Sequence, residues 1–557
     1  MNCPVCGANN APGSKFCIGC GNPLPVTQAA PVAPVAPVAP AAPMAPTAPV
    51  ATAQPKEKVK VDFNEVKERL VSTVKPIGSK IASLWKNPKI KLGVLGGAVL
   101  LLVAMILCSI FGGGNGYVQR KENIRFVQSD EGEYSVIVGK KVLKTTIESK
   151  EGLDDSTSSL NGKVAAVLTG ENELYVVKGS KVKLVAEDVQ DYVLSVDGKG
   201  IAYSVCGEDD ENVTLYLAKV SNAKSTEITD NLGGNYVIAP NGKSVAYYED
   251  GGEDPDELML YNGKKSTSIC DDEGSALYGM SNSGKQIYVS LDKDDEVVLY
   301  SFNKKGDKTK LETLGSSYSI YFNDDHTQVL FENEDGKSYI ATKGKAAVKA
   351  CSGSLELIIA PGSAEVGNTY PVSNLYNHVY QSGDEAHLIK KNKDIKLVSK
   401  ASMMQLDGDA EYLYYGYDYD EIRCIKISQG EKASERAKTI VNEFTSYVVT
   451  SDRKYVYYMD GLDTLMCVNG KKGGAPRQVA DDVDFSSGIA LSDKDVFYYV
   501  LDDDLYAVSN GKKGKKVLSD VESVYSTENG YVYAENEDAF FVSTGSKKPK
   551  KVLDLDY

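Results

Sequence analysis

A unit of about 42 to 44 residues recurs along most of this 557-residue chain, and that period limits the folds open to it. Residues 192–203 read YVLSVDGKGIAY and residues 236–247 read YVIAPNGKSVAY. Residues 278–288 (YGMSNSGKQIY) and 447–457 (YVVTSDRKYVY) repeat the form. Glycines fall at 198, 242 and 284, and weaker copies centre on Gly162, Asp325, Gly408, Lys494 and Asn529. Each copy reads as a Tyr/Val-rich strand, a tight turn of Asx or Gly type, and a second Tyr/Val-rich strand. An acidic turn follows, then a third strand such as 505–508 (LYAV). A turn often spelled Asn-Gly-Lys-Lys leads to a fourth. Four short antiparallel strands per period are the signature of a propeller blade. The 35 Tyr, against 12 Phe and 1 Trp, suit it, since Tyr favours strands and carries a polar tip on an apolar body.

The wording of these copies resembles the TolB-like family of WD40-like β-propeller repeats, with its Ser-x-Asp-Gly-Lys-x-Ile/Val-Ala-Tyr pattern, over about 155–557. Only Asp197 keeps the Asp-Gly-Lys triplet; other copies have Asn-Gly-Lys or Ser-Gly-Lys. Residues 352–400 are degenerate. The resemblance implies an all-β propeller domain over 124–557 with seven to ten repeats, as one ring with additions or as two rings. In that family such repeats serve scaffolds, receptors and the non-catalytic domains of hydrolases.

The first 24 residues are a different object. Cys3, Cys6, Cys17 and Cys20 are spaced C-x2-C-x10-C-x2-C, which can set four thiolates tetrahedrally about one structural Zn²⁺. So short a segment buries no useful core, and metal would supply about 10–16 kcal/mol of folding free energy. The wording CPVCG and FCIGCG resembles the small zinc-ribbon family. Residues 25–55 are a Pro/Ala/Val linker with proline at every third position from 31 to 49, the polyproline II period, and reach roughly 95 Å at about 3.1 Å per residue. Residues 56–91 carry an apolar stripe (Val59, Phe63, Val66, Leu70, Val74) beside ten Lys/Arg, with Trp85 near the end. That pattern predicts a basic amphipathic juxtamembrane segment on an anionic leaflet, with a short coiled coil as the rival. Residues 92–111 are uncharged and long enough to cross a bilayer as one helix, and residues 112–123 read as a hinge. The Lys/Arg excess before the span predicts a cytoplasmic N-terminus and an extracytoplasmic C-terminal domain at a bacterial cell membrane.

Charge divides the chain. Residues 1–91 hold 11 basic and 4 acidic side chains, and the remainder holds 51 basic and 73 acidic, which excludes nucleic-acid binding through phosphate contacts. Acidic clusters at 208–211, 253–257, 292–296, 418–421, 502–504 and 535–538 all follow the second strand of a repeat. Lysines such as Lys243, Lys285, Lys264, Lys265, Lys471 and Lys472 follow the first and third strands. Alternate turns of an antiparallel sheet lie at opposite ends, so the sequence predicts one acidic and one Lys-rich rim. The acidic turns are candidate Ca²⁺ positions, although none has EF-hand spacing. They also suit a protein or a cationic envelope ligand. No catalytic motif is present, and His326, His378 and His387 share no ligand spacing. The sequence therefore predicts a single-pass membrane-anchored binding or scaffold protein without enzymatic activity. The alternatives are a propeller-based hydrolase or lyase, and a transmembrane sensor acting through the zinc ribbon.

Overall fold

The computed structural model describes residues 116–555 except 131, 208–211, 253–255, 272–273, 294–295, 316–318, 392, 462, 484–488, 493–494 and 544–547. The zinc-ribbon cysteines Cys3, Cys6, Cys17 and Cys20, the linker, the basic segment and the span 92–111 lie outside the described residues. Among the described residues no helix is long and apolar enough to cross a membrane.

Eleven antiparallel sheets follow one another as blades of a β-propeller: 124–148, 153–186, 189–229, 232–270, 274–313, 320–351, 356–398, 401–442, 447–480, 489–518 and 523–554. The count corrects the expected seven to ten, and two blades account for the difference. The seventh, 356–398, is the degenerate stretch; its first strand, Glu356–Leu357, is separated from its second, His378–Ser382, by a long insertion where blades with the repeated turn have five or six residues. The first blade, 124–148, begins one strand late. Its opening turn lies beside the link to the next blade (Ser149 N donates to Gly132 O, 2.7 Å), where blade 2 places its second-to-third turn (Gly170 N to Gly152 O, 2.9 Å). It is therefore three strands wide, its outer strand broken into Lys141–Val142 and Ile147–Glu148. Without a first strand it has no copy of the repeated turn.

Second strands are covered on both faces by neighbouring blades, so they read as continuous apolar runs rather than alternating ones. Val164–Thr169 (VAAVLT) is buried throughout, whereas the outer strand Lys181–Ala186 is half-exposed. The junctions are filled by apolar clusters, from Val136, Ile147, Val167 and Val177 between blades 1 and 2 to Val500, Leu505, Val524 and Val532 between blades 10 and 11, and a single cluster spans both seams of blade 7. The ring closes in the same way: Ile137 of blade 1 packs on Tyr533, Phe540 and Val542 of blade 11. Tyr533 Oη donates to Gly139 O (2.9 Å), as Tyr414 Oη of blade 8 donates to Gly470 O of blade 9 (3.0 Å). The Arg125 guanidinium lies 4.6 Å from the Tyr525 ring centre. The repeated glycine of the first turn is required by geometry: Gly242 has φ +66°, and a Cβ there would stand 2.3 Å from Gly200 N.

Closure thus rests on side-chain packing and a few buried polar bonds. Tyr533→Phe leaves Gly139 O and Asn123 Nδ2 without their shared partner and should lower unfolding free energy by about 1–3 kcal/mol. Tyr419→Phe, at a side chain 74% exposed, should change it by less than about 0.5 kcal/mol in the same denaturant titration.

Candidate functional site

Eleven blades leave a wide centre, and two segments occupy it. The chain enters at Gly116, and residues 117–123, part of the segment expected to be a hinge, run from blade 7 to blade 2. Tyr117 Oη donates to Ile358 O (2.6 Å), Val118 N to Pro371 O (2.6 Å), Arg120 N to Gly362 O (2.8 Å) and Lys121 N to Asn161 O (2.8 Å). The blade-7 insertion, 358–377, continues this bar to blade 6, where Phe322 N donates to Asn368 O and Tyr370 N to Phe322 O, both 2.8 Å. On one side the bar and the first turns of blades 8 to 11 enclose a chamber of about 850 Å³. Its wall includes Arg120, Glu356, Glu365, Gln405, Ser451 and Glu528. Burial and then the Glu356 charge raise the pKa of Glu365. Burial weighs against the Arg120 charge, while Glu528, 3.9 Å away, supports it.

Two of the three histidines serve this bar. His326, at φ +53° in the first turn of blade 6, stacks on Phe322 and sets Nε2 2.8 Å from Thr369 Oγ1 of the insertion. Burial pushes its pKa down to about 3. His378 meets the Tyr117 ring edge-on at 4.8 Å, and burial lowers its pKa to about 4. His387 differs. It lies on the outer part of blade 7 with Nδ1 2.7 Å from Asp394 Oδ1 and 4.0 Å from Cys351 Sγ, and Nε2 3.1 Å from Glu385 Oε2. Burial opposes its charging, but contacts with Cys351 and Asp394 prevail and raise its pKa to about 9. Among the described residues, Cys351, His387 and Asp394 are the one group of three metal-capable side chains with convergent ligand atoms. The described acidic turns form no such group, and the candidate Ca²⁺ turn 208–211 and parts of 253–257 and 292–296 lie outside the described residues. The other four described cysteines, Cys206, Cys270, Cys424 and Cys467, form no disulfide.

The acidic part of the predicted charge phase holds, while the opposite face is Lys-rich at its third turns and mixed at its first, where Asp197, Asp325, Asp407, Asp452 and Asp495 stand beside Lys199, Lys243, Lys285 and Lys454. First turns touch one another from blade to blade on one face (Leu160 N to Val196 O, Asp197 N to Pro240 O, Gly408 N to Ser451 O). Third turns share that face and carry Lys264, Lys265, Lys304, Lys305, Lys471, Lys472, Lys512 and Lys513. Second turns and inter-blade links form the opposite face. There Glu171, Glu187, Asp188, Asp250, Asp420, Asp481, Asp502, Asp503 and Asp538 stand among further acids. Among the described residues of these turns and links the basic side chains are Lys150, Lys337 and Lys400. Lys337 pairs with Asp335 (2.6 Å) and Lys400 with Asp418 (2.9 Å), which leaves the field of this face negative.

No family model and no curated protein matches the chain. Solved structures share its fold at low identity. TolB from Acinetobacter baumannii is 16% identical with a TM-score of 0.28, covering 48% of this chain and 75% of its own. An oligogalacturonate lyase from Vibrio parahaemolyticus is 13% identical with a TM-score of 0.29, covering 49% and 87%. A eukaryotic initiation factor is 11% identical with a TM-score of 0.36, covering 64% and 96%.

The His326 pin carries a pH signature. Its folded pKa is depressed, so between about pH 6.5 and pH 3 the unfolded chain binds the proton the folded chain refuses. The stability held above pH 6.5 is then lost on acidification, by up to about 1.4 kcal/mol per pH unit. His326→Asn, which tolerates the left-handed backbone, should flatten urea-derived stability between pH 6 and pH 4 relative to the parent. Equal slopes in the two proteins would show that His326 does not contribute.

Proposed function

We propose that this chain is a membrane-anchored binding platform whose propeller stands outside the cell and takes a cationic partner on its acidic face. The segregation of charge between the two faces carries the reading. The second turn is acidic from blade to blade, so the fields add over that face, and a summed field of that kind steers and holds a partner of opposite sign. Partner chemistries that fit are a basic protein segment or an amino-sugar polymer. Membrane anchoring rests on the sequence of 56–111. The described chain enters on the Lys-rich face, so a span a few residues upstream would turn that face toward anionic headgroups and leave the acidic face pointing away. The zinc ribbon, held by Cys3, Cys6, Cys17 and Cys20, would then lie on the cytoplasmic side as a structural element.

Among its described residues the chamber wall offers carboxylates, serines and Arg120, the groups that a hydrolase or lyase alternative would draw on. The acidic face is the better supported site because its carboxylates recur at the second turn from blade to blade. Oligo-lysine serves as the probe. Its affinity for the full-length protein should fall at least tenfold between low and high salt. It should also fall about tenfold in a Asp420→Lys/Asp502→Lys/Asp503→Lys variant, and stay unchanged in Lys471→Glu/Lys472→Glu. Salt-insensitive binding, or equal loss in both variants, would refute the assignment.

A further inference from the structure

Cys351 ends the outer strand of blade 6, Val348–Cys351, and His387 and Asp394 sit on the two outer strands of blade 7, Glu385–Lys390 and Lys393–Val398. The register pairs His387 with Lys396 and Ile389 with Asp394. His387, Glu385, Asp394 and Lys396 therefore share the face of blade 7 turned toward Cys351. Cys351 and His387 are buried at 4% and 6% exposure, while the Asp394 side chain keeps 33%, so the group opens to solvent on one side only.

Two arrangements could explain a thiol, an imidazole and a carboxylate so placed. A nucleophilic triad needs the nucleophile on one ring nitrogen and the carboxylate on the other, so that the imidazole can carry a proton between them. Here Asp394 Oδ1, 2.7 Å away, takes the Nδ1 hydrogen bond, while Cys351 Sγ stands 4.0 Å from that nitrogen and is buried, so the thiol has neither the short contact nor the exposure of a nucleophile. Nε2 is held instead by Glu385 Oε2, and Glu385 is fixed in turn by Lys396 Nζ at 2.8 Å. A carboxylate on the far nitrogen, with the near nitrogen, a sulfur and an oxygen converging, is how metal-ligating histidines are oriented.

We propose that Cys351, His387 Nδ1 and Asp394 form a three-ligand site for a borderline-soft divalent transition metal of the Zn²⁺ class, with a fourth position open to solvent. The three ligand atoms lie within 4.8 Å of one another. Tetrahedral bonds of about 2.0–2.3 Å put ligand atoms roughly 3.4–3.6 Å apart, so small side-chain rotations suffice. The sulfur and nitrogen select against Ca²⁺ and Mg²⁺, which want all-oxygen shells. Binding expels the Nδ1 proton and the thiol proton, and Glu385 keeps the Nε2 proton and sets the tautomer. A metal here would tie blade 6 to blade 7 at the rim.

The test uses the full-length chain carrying Cys3→Ser, Cys6→Ser, Cys17→Ser and Cys20→Ser, which removes the other cysteine cluster, titrated with Co²⁺ and then Zn²⁺. One equivalent of Co²⁺ should bind with a thiolate-to-cobalt charge-transfer band and tetrahedral d–d absorption, and Zn²⁺ should displace it. Adding Cys351→Ala should abolish the band. His387→Gln should weaken binding at least a hundredfold, and Glu385→Gln about 10- to 100-fold with the band retained. Circular dichroism in chelator confirms that each variant is folded. A folded parent that binds no stoichiometric Co²⁺, or a Cys351→Ala variant that keeps the band, would overturn the site.

Discussion

Most blades of this protein have a middle strand that is apolar on both faces, and that constraint governs the rest of the structure. A sheet with Tyr412–Tyr417 (YLYYGY) or Phe497–Leu501 (FYYVL) at its centre has no solvent-compatible side there. It is stable only between two neighbours, so the array must close on itself or be capped. Closure here uses no shared strand. The first sheet comes wholly from 124–148 and the last from 523–554, and Ile137, Tyr533 and Phe540 join them by packing. The buried tyrosines suit this role because their rings fill the seam while their hydroxyls reach a turn of the next blade, as Tyr414 and Tyr533 do.

A wide ring then creates its own problem, a large opening whose lining turns need partners. The strap at 117–123 and the insertion at 358–377 meet that need by bonding to turns of blades 2 and 6 and to each other. They divide the opening and leave the 850 Å³ chamber on one side. The strap begins at Gly116 beside His378, on the face of the first turns. Under the proposed function, an anchor on that face would leave the acidic face pointing away from the membrane.

The nine turns that carry the repeat were legible in the sequence because a left-handed residue in a crowded turn leaves few options. Gly198, Gly242 and Gly284 all have positive φ, and Gly242 meets backbone where a Cβ would stand. The charge phase was legible because strand order alone decides the face. Blade 1 escaped notice because it starts at its second strand and never forms the telltale turn. Blade 7 was visible only as the degenerate stretch 352–400, because the insertion replaces that turn. The Cys351, His387 and Asp394 group was illegible for a third reason. Its members come from adjacent blades, with Cys351 and His387 36 residues apart, and only the packing of one sheet on the next gives them a common point. The single available signal was that Cys351 and His387 bracket the least regular part of the chain.

That coincidence has a structural logic. Blade 7 spends most of its inner edge on the bar: its first strand is two residues long and pairs only at Glu356 and Leu357. The seam with blade 6 therefore has less ladder on the inside than other seams and relies more on contacts further out. Those contacts are unusually polar for a propeller seam, with Glu385 and Lys396 fixing His387 against Asp394 beside the Cys351 thiol. Polar groups of this kind hold two sheets together only when each is satisfied, and a half-satisfied set would be worse than an apolar one. A cation bound between Cys351, His387 and Asp394 would satisfy all three at once and fasten the seam beside the blade whose first strand is cut to two residues.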